Sequence, residues 1–259
     1  MPIKLKSQRE IELMKQAGTV VYRVLKHLEE IAAVGVTTGE LDAEAGRLTR
    51  ELGAEALFKG VRMPGCGGPF PGVICASLNE QVVHGVPSDR KIRDGDVVSI
   101  DFGCRLAGYC GDAAVTLAIG DVAGPARRLV DVTRRALEIA VETARCGMLW
   151  SKVAGAMQKY VEGEGFSVVR EFVGHGIGRE MHEEPKVPNF VSRELLARDI
   201  LLEDGLVLAV EPMVTMGSPD VVKEKNEWPV VTKDGRPAAH FEHTLAMTAS
   251  GFRVLTDGT

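Results

Sequence analysis

Apolar residues at Ile11, Met14, Gly18, Val21, Val24, Leu25 and Leu28 recur at helical spacing, directly after Ser7-Gln-Arg-Glu10. That tetrapeptide is a capping box, so the stretch is predicted as an amphipathic helix with its start marked. Thr37-Thr-Gly-Glu40 repeats the signature and opens a second helix to about Leu52, and 121–143 and 151–162 carry the same period. Between them, short β-branched runs predict strands at 72–77, 96–102, 113–119, 167–172, 206–211 and 244–248. No linker or low-complexity segment interrupts this alternation. The reading is an α/β (α+β) fold in a single domain, 1–259.

Two of the strand signals resemble each other. Asp94-Gly-Asp-Val-Val-Ser-Ile-Asp101 and Asp204-Gly-Leu-Val-Leu-Ala-Val-Glu211 both run from an Asp-Gly turn through an apolar stretch to a carboxylate. Each is followed by another acid, Asp112 and Glu242. Asp-Gly before a strand is also ordinary turn chemistry, so an eight-residue match alone reads as either coincidence or duplication. The paired second acids favour duplication, with halves of about 1–120 and 121–259.

Composition narrows the class. Of 259 residues, 45% are hydrophobic and 26% charged, which excludes a disordered or fibrous chain. The net charge of -5 with scattered basic residues argues against a dedicated nucleic-acid face. Residues 1–18 are too polar for a secretory signal, and no later run is long enough for a membrane span. The five cysteines, Cys66, Cys75, Cys104, Cys110 and Cys146, are odd in number and lack zinc-ribbon spacing. A reducing, cytoplasmic location is expected.

The acids then acquire a chemistry. In Asp101-Phe-Gly-Cys-Arg-Leu-Ala-Gly-Tyr-Cys-Gly-Asp112, a four-residue turn at 105–108 is expected to pair Cys104 with Tyr109 and Asp101 with Asp112. Opposed Cβ atoms on a hairpin lie roughly 4.5–5.5 Å apart, where two like charges need a cation or a shared proton unless the register is shifted or both are solvated. Gly174-His-Gly-Ile-Gly-Arg-Glu-Met-His182 adds imidazoles in a glycine-rich segment that backbone or ligand can approach closely. Asp101, Asp112, His175, Glu211 and Glu242 make four carboxylates and one imidazole. This set suits hard or borderline cations such as Mn, Fe, Co or Zn.

With these residues in view, the chain resembles type I methionine aminopeptidases of bacterial kind. The motifs that carry the resemblance are Asn79-Glu-Gln-Val-Val-His-Gly-Val-Pro87, Ile100-Asp-Phe, Gly108-Tyr-Cys-Gly-Asp112, Gly174-His-Gly-Ile-Gly178, His182-Glu-Glu-Pro185, Glu211-Pro-Met and Phe241-Glu-His-Thr244, in the family's order. The connection from His182 to Glu211 is too short for the type II insertion, and no cysteine precedes Cys66 to build an N-terminal zinc extension.

The resemblance implies a pita-bread fold of two related halves and two divalent ions, Co, Mn, Fe or Zn. Asp101, Asp112, His175, Glu211 and Glu242 would be the ligands, with Asp112 and Glu242 bridging and a hydroxide between the ions. It makes Glu211 the proton acceptor, His182 the contact to the substrate carbonyl and His84 the partner of the amide beyond the scissile bond. Phe70, Cys75, Met181 and Trp228 would form the pocket for a methionine side chain, with Gly67 and Met181 departing from the usual aromatics. His27, His240 and His243 are expected to be structural or solvated, with His243 also placed to support Glu242.

The implied activity is removal of the N-terminal methionine from nascent polypeptides with a small second residue, by a monomer in transient contact with the ribosome. Pro2 is small, so Met1 is an expected substrate. The rivals are an Xaa-Pro peptidase of the same fold and a catalytically silent binding protein.

Overall fold

A computed structural model describes residues 2–259, and the expectation for Met1 lies outside them. Both capping boxes form as read. Ser7 accepts from the Glu10 backbone and Thr37 from that of Glu40, and each glutamate returns the bond, at 2.9 and 2.7 Å. They start the helices Gln8–Ile31 and Thr38–Glu51. The two later helices are Gly124–Thr143, with Pro125 in its first turn, and Trp150–Gly163. A short helix, Arg193–Ala197, has no counterpart in the sequence reading.

A nine-stranded antiparallel sheet organises the chain. Its centre runs Val97–Leu106, Tyr109–Ala118, Glu242–Thr248, Val207–Val210. This order reads the same from either side: each outer strand carries or ends on a first acid, Asp101 or Glu211, and each inner strand carries a second, Asp112 or Glu242. The repeat in the sequence therefore becomes two mirrored hairpin-like pairs meeting at the Tyr109–Ala118 and Glu242–Thr248 seam. Gly174–Gly176 and Glu183–Val187 extend one side; Glu55–Ala56 and Cys75–Leu78 pair with Val97–Leu106 on the other. Two three-stranded sheets, Ser167–Val168 with Met213–Thr215 and Ala238–His240, and Gln81–Val83 with Val221–Lys223 and Val230–Thr232, complete the fold. With helices over the curled sheet, this is the pita-bread architecture.

The hairpin carrying Asp101 and Asp112 corrects the expected register. Leu106 pairs with Tyr109, so Asp101 faces Ala114 and Asp112 faces Gly103. The turn is only Ala107-Gly108, with φ of 49° and 81°. Two positive φ values give the turn whose twist matches that of the strands, and this outweighs the cost of a non-glycine residue at the first position. The shift is two residues along one strand, so both carboxylates stay on the same face as diagonal neighbours.

Apolar layers lie between the sheet and its helices. Val24, Leu28, Leu41, Ile74, Val98, Ile100 and Phe102 pack under the first two helices, and Leu129, Ala136, Trp150, Val153, Met157, Leu208 and Leu245 under the second pair. The N-terminal helix approaches Tyr109–Ala118 so closely that a Cβ on Gly111 would stand 2.8 Å from the Gly18 nitrogen, and one on Gly18 would strike the Leu255 carbonyl. Gly18→Ala is therefore expected to destabilise the protein by about 1–3 kcal/mol through overpacking. That would outweigh the ~1 kcal/mol alanine gains in a helix. A urea midpoint equal to wild type would show that helix and C-terminal segment are not clamped together.

Candidate metal centre

The four acids and His175 converge at the seam of the central sheet. Asp112 and Glu242 lie on the paired inner strands, both 2% exposed, while Asp101 lies within Val97–Leu106 and Glu211 directly follows Val207–Val210. Thr244 fixes the seam by accepting from the Asp112 amide at 3.0 Å and donating to its carbonyl at 2.8 Å. His175 sits between Gly174 and Gly176, whose absent side chains would collide with the carbonyls of Ala209 and Glu184. The glycines thus admit neighbouring strands. The His175 Nδ1 lies 2.9 Å from the Gly176 carbonyl, so Nδ1 holds the proton and Nε2 turns a lone pair towards Asp112 Oδ2 and Glu211 Oε1, at 3.9 and 3.7 Å.

The electrostatics require a cation or protons. Among the described residues no lysine or arginine pairs with the four carboxylates; their basic neighbours are imidazoles. Buried oxygens Asp101 Oδ1, Asp112 Oδ1 and Glu242 Oε1 have no hydrogen-bond partner. Burial pushes Asp101 up to about 7. It pushes Asp112, Glu211 and Glu242 well above the carboxylate range, reinforced in each case by neighbouring acids. Burial also lowers His175 to about 4, so its ring is neutral and able to bind metal. Donor atoms of Asp112, His175 and Glu242 lie within 4.8 Å of one another, as do those of Glu211, His240 and Glu242. Oxygen-rich donors with one shared carboxylate and orphaned lone pairs fit divalent ions.

His240, expected to be structural or solvated, lies beside the acids. It is 2% exposed and its Nε2 points at Glu211 and Glu242. Its signal was the i, i+2 spacing to Glu242, which puts both side chains on one face of extended chain. The same alternation corrects His243. It projects to the opposite face, bonds Thr256 Oγ1 at 2.8 Å and lines a separate cavity beside Tyr22 and Leu137, so it does not support Glu242. His27 sits between the first two helices, 3.6 Å from Glu44.

The acids floor a cavity of about 410 Å³. His182, at its exposed rim, places its ring 4.3 Å from that of His175. His84 lines the wall in a left-handed backbone conformation, φ 61°, with its ring against Phe172 and Trp228. Strain held at a cavity wall marks a positioned side chain. Burial, then Lys223, then His182 lower His84 to about 4. Phe70, Cys75 and Trp228 cluster with Phe58, and Met63 and Met181 pack against them; Phe58 and Met63 escaped the sequence reading. Phe70 meets Trp228 edge-on at 5.1 Å. Gly67 has a local reason: its amide bonds the Asn226 carbonyl at 2.9 Å, where a Cβ would be crowded.

Comparison with known proteins gives the family and the fold. The model of metallopeptidase family M24 matches residues 12–249. Methionine aminopeptidase 1 of Bacillus subtilis (strain 168) is 42% identical over 251 residues, covering 97% of this chain and 98% of the relative. The crystal structure of methionine aminopeptidase from Thermotoga maritima superposes with a TM-score of 0.91 at 38% identity, over 98% of this chain and 99% of that one. A prolidase from Pyrococcus furiosus shares the fold at a TM-score of 0.76 and 22% identity, this chain covering 65% of it.

Proposed function

The chain belongs to metallopeptidase family M24, and from that premise we propose that it is a two-metal aminopeptidase that removes N-terminal methionine from nascent polypeptides. The observation that carries this reading is the floor of four carboxylates, Asp112 and Glu242 buried and Asp101 and Glu211 half-buried, with no lysine or arginine paired to them among the described residues, beneath a cavity walled by sulfur and aromatic side chains. Asp101, Asp112, His175, Glu211 and Glu242 would hold the ions, with Asp112 and Glu242 shared between them. Divalent ions bound there would lower the pKa of a coordinated water and polarise a peptide carbonyl.

The protein's own groups do the rest. Glu211 would accept the proton of the attacking water and return it to the leaving amine, because its carboxylate lies inside the ring of donors. His182 at the rim would donate to the developing oxyanion, and His84 on the wall would hydrogen-bond the amide beyond it. Phe70, Cys75, Met181 and Trp228 would enclose an unbranched thioether, where sulfur and aromatic contacts favour methionine. Since the donors come from residues before and after 120, both halves would act as one catalytic domain. The same reading carries a cytoplasmic monomer in brief contact with the ribosome.

The test is hydrolysis of Met-Ala-Ser by chelator-stripped protein titrated with Co(II), Mn(II), Fe(II) and Zn(II). Metal-dependent release of methionine, with Ala-Pro peptides left intact, is expected. Cleavage of Ala-Pro instead would assign an Xaa-Pro peptidase, and silence of folded protein with every ion would assign a binding protein.

A further inference from the structure

We propose that His240 is a sixth metal ligand, its Nε2 binding the ion held by Glu211 and Glu242; this rests on the metal-centre reading above. The ring is 2% exposed, and Nε2 is buried without a hydrogen-bond partner. It lies 3.7 Å from Glu211 Oε2 and 3.9 Å from Glu242 Oε2. Those separations are too long for hydrogen bonds. They lie within the span of one cation: at metal-donor distances of about 2.0–2.2 Å, two donors sit at most about 4.4 Å apart.

The backbone is built to hold this aim. His240 pairs with Met213, two residues after Glu211. Thr116 Oγ1 accepts from the His240 amide at 2.9 Å and donates to its carbonyl at 2.7 Å. Thr116 belongs to the same strand as Asp112, so the position of His240 is referred to the seam that carries the bridging acids. An imidazole held only for packing would turn its polar edge to a partner; this one turns it to two carboxylates.

The consequence is one imidazole in each donor group, His175 with Asp112 and Glu242, and His240 with Glu211 and Glu242. A second nitrogen donor softens the set, so Co(II) and Zn(II) gain over Mn(II).

Chelator-stripped wild type, H240L and H240Q are titrated with Co(II) and with Mn(II) by calorimetry, and the visible spectrum of the Co(II) form is recorded. In H240L, Co(II) affinity is expected to fall ten-fold or more, Mn(II) affinity to fall less, and the Co(II) bands to change. Pulsed electron paramagnetic resonance of Mn(II)-loaded wild type is expected to show two coordinated imidazole nitrogens, a readout that needs no variant. One nitrogen in wild type, or unchanged Co(II) affinity and spectrum in both variants, would overturn the assignment while leaving the metallopeptidase reading intact. Absence of metal binding by wild type would overturn both.

Discussion

Glu242→Gln is expected to lower kcat/KM on a methionyl peptide by at least about a thousand-fold, with loss of both ions. Glu242 is the residue common to the two donor groups, so removing its charge weakens each of them. Metal ions supply several kcal/mol of transition-state stabilisation. A loss of about 4 kcal/mol is a factor of about a thousand. His175→Ala touches one group and is expected to reduce metal occupancy and turnover ten-fold or more. His182→Ala, at the rim, should slow turnover while both ions stay. Metal content by mass spectrometry beside steady-state kinetics separates the three. Glu242→Gln protein retaining both ions, or near-normal activity of His175→Ala, would show that the donors are wrongly assigned.

The cluster of four acids and His175 was legible in the sequence because its members belong to patterns with a physical cause. Asp101 and Glu211 lie at the end of apolar runs started by Asp-Gly, and the runs are long enough for their period to show. The capping boxes were legible for the same reason, since a cap is a local bargain between residues three apart. What failed was set by distant contacts or by single φ values. The register of the Asp101 and Asp112 hairpin turned on Ala107 taking a positive φ, which alanine does not announce. Strands of three residues, such as Gly174–Gly176, Met213–Thr215 and Ala238–His240, have no period to detect. The strand expected at 167–172 ends at Val168; Ser167 and Val168 pair with Thr215 and Val214, and beyond them the Val169 amide still donates to the Met213 carbonyl. His240 was hidden with its strand, although its spacing to Glu242 was visible. The pocket likewise drew Phe58 and Met63 from a loop whose path no local pattern sets.

Stripping the metals is expected to make stability fall as pH rises from about 6.5 to 8, and reconstitution to remove that slope. Asp101 is held near 7 instead of 3.8, and Asp112, Glu211 and Glu242 are raised well above the ordinary carboxylate value. In this range the folded protein keeps protons that the unfolded chain has released, so stability drops with pH. That contribution is complete below the unfolded values and is lost as pH rises through the folded ones. The buried imidazoles act oppositely. His84, His175 and His243 fall to about 4 and His240 to about 3, so they raise stability with pH only up to the ordinary value near 6.5. Below 6.5 the two sets compete; above it the acids alone remain. Bound cations hold the carboxylates ionised and abolish their proton uptake. Glu242→Gln removes one buried acid, so its stripped form should melt higher than stripped wild type at pH 8 although the variant is the less active enzyme. Thermal melts of chelated and reconstituted protein across this range decide the matter. A stripped wild type whose melting temperature is flat or rising from pH 6.5 to 8 would mean that the four acids do not share one desolvated site.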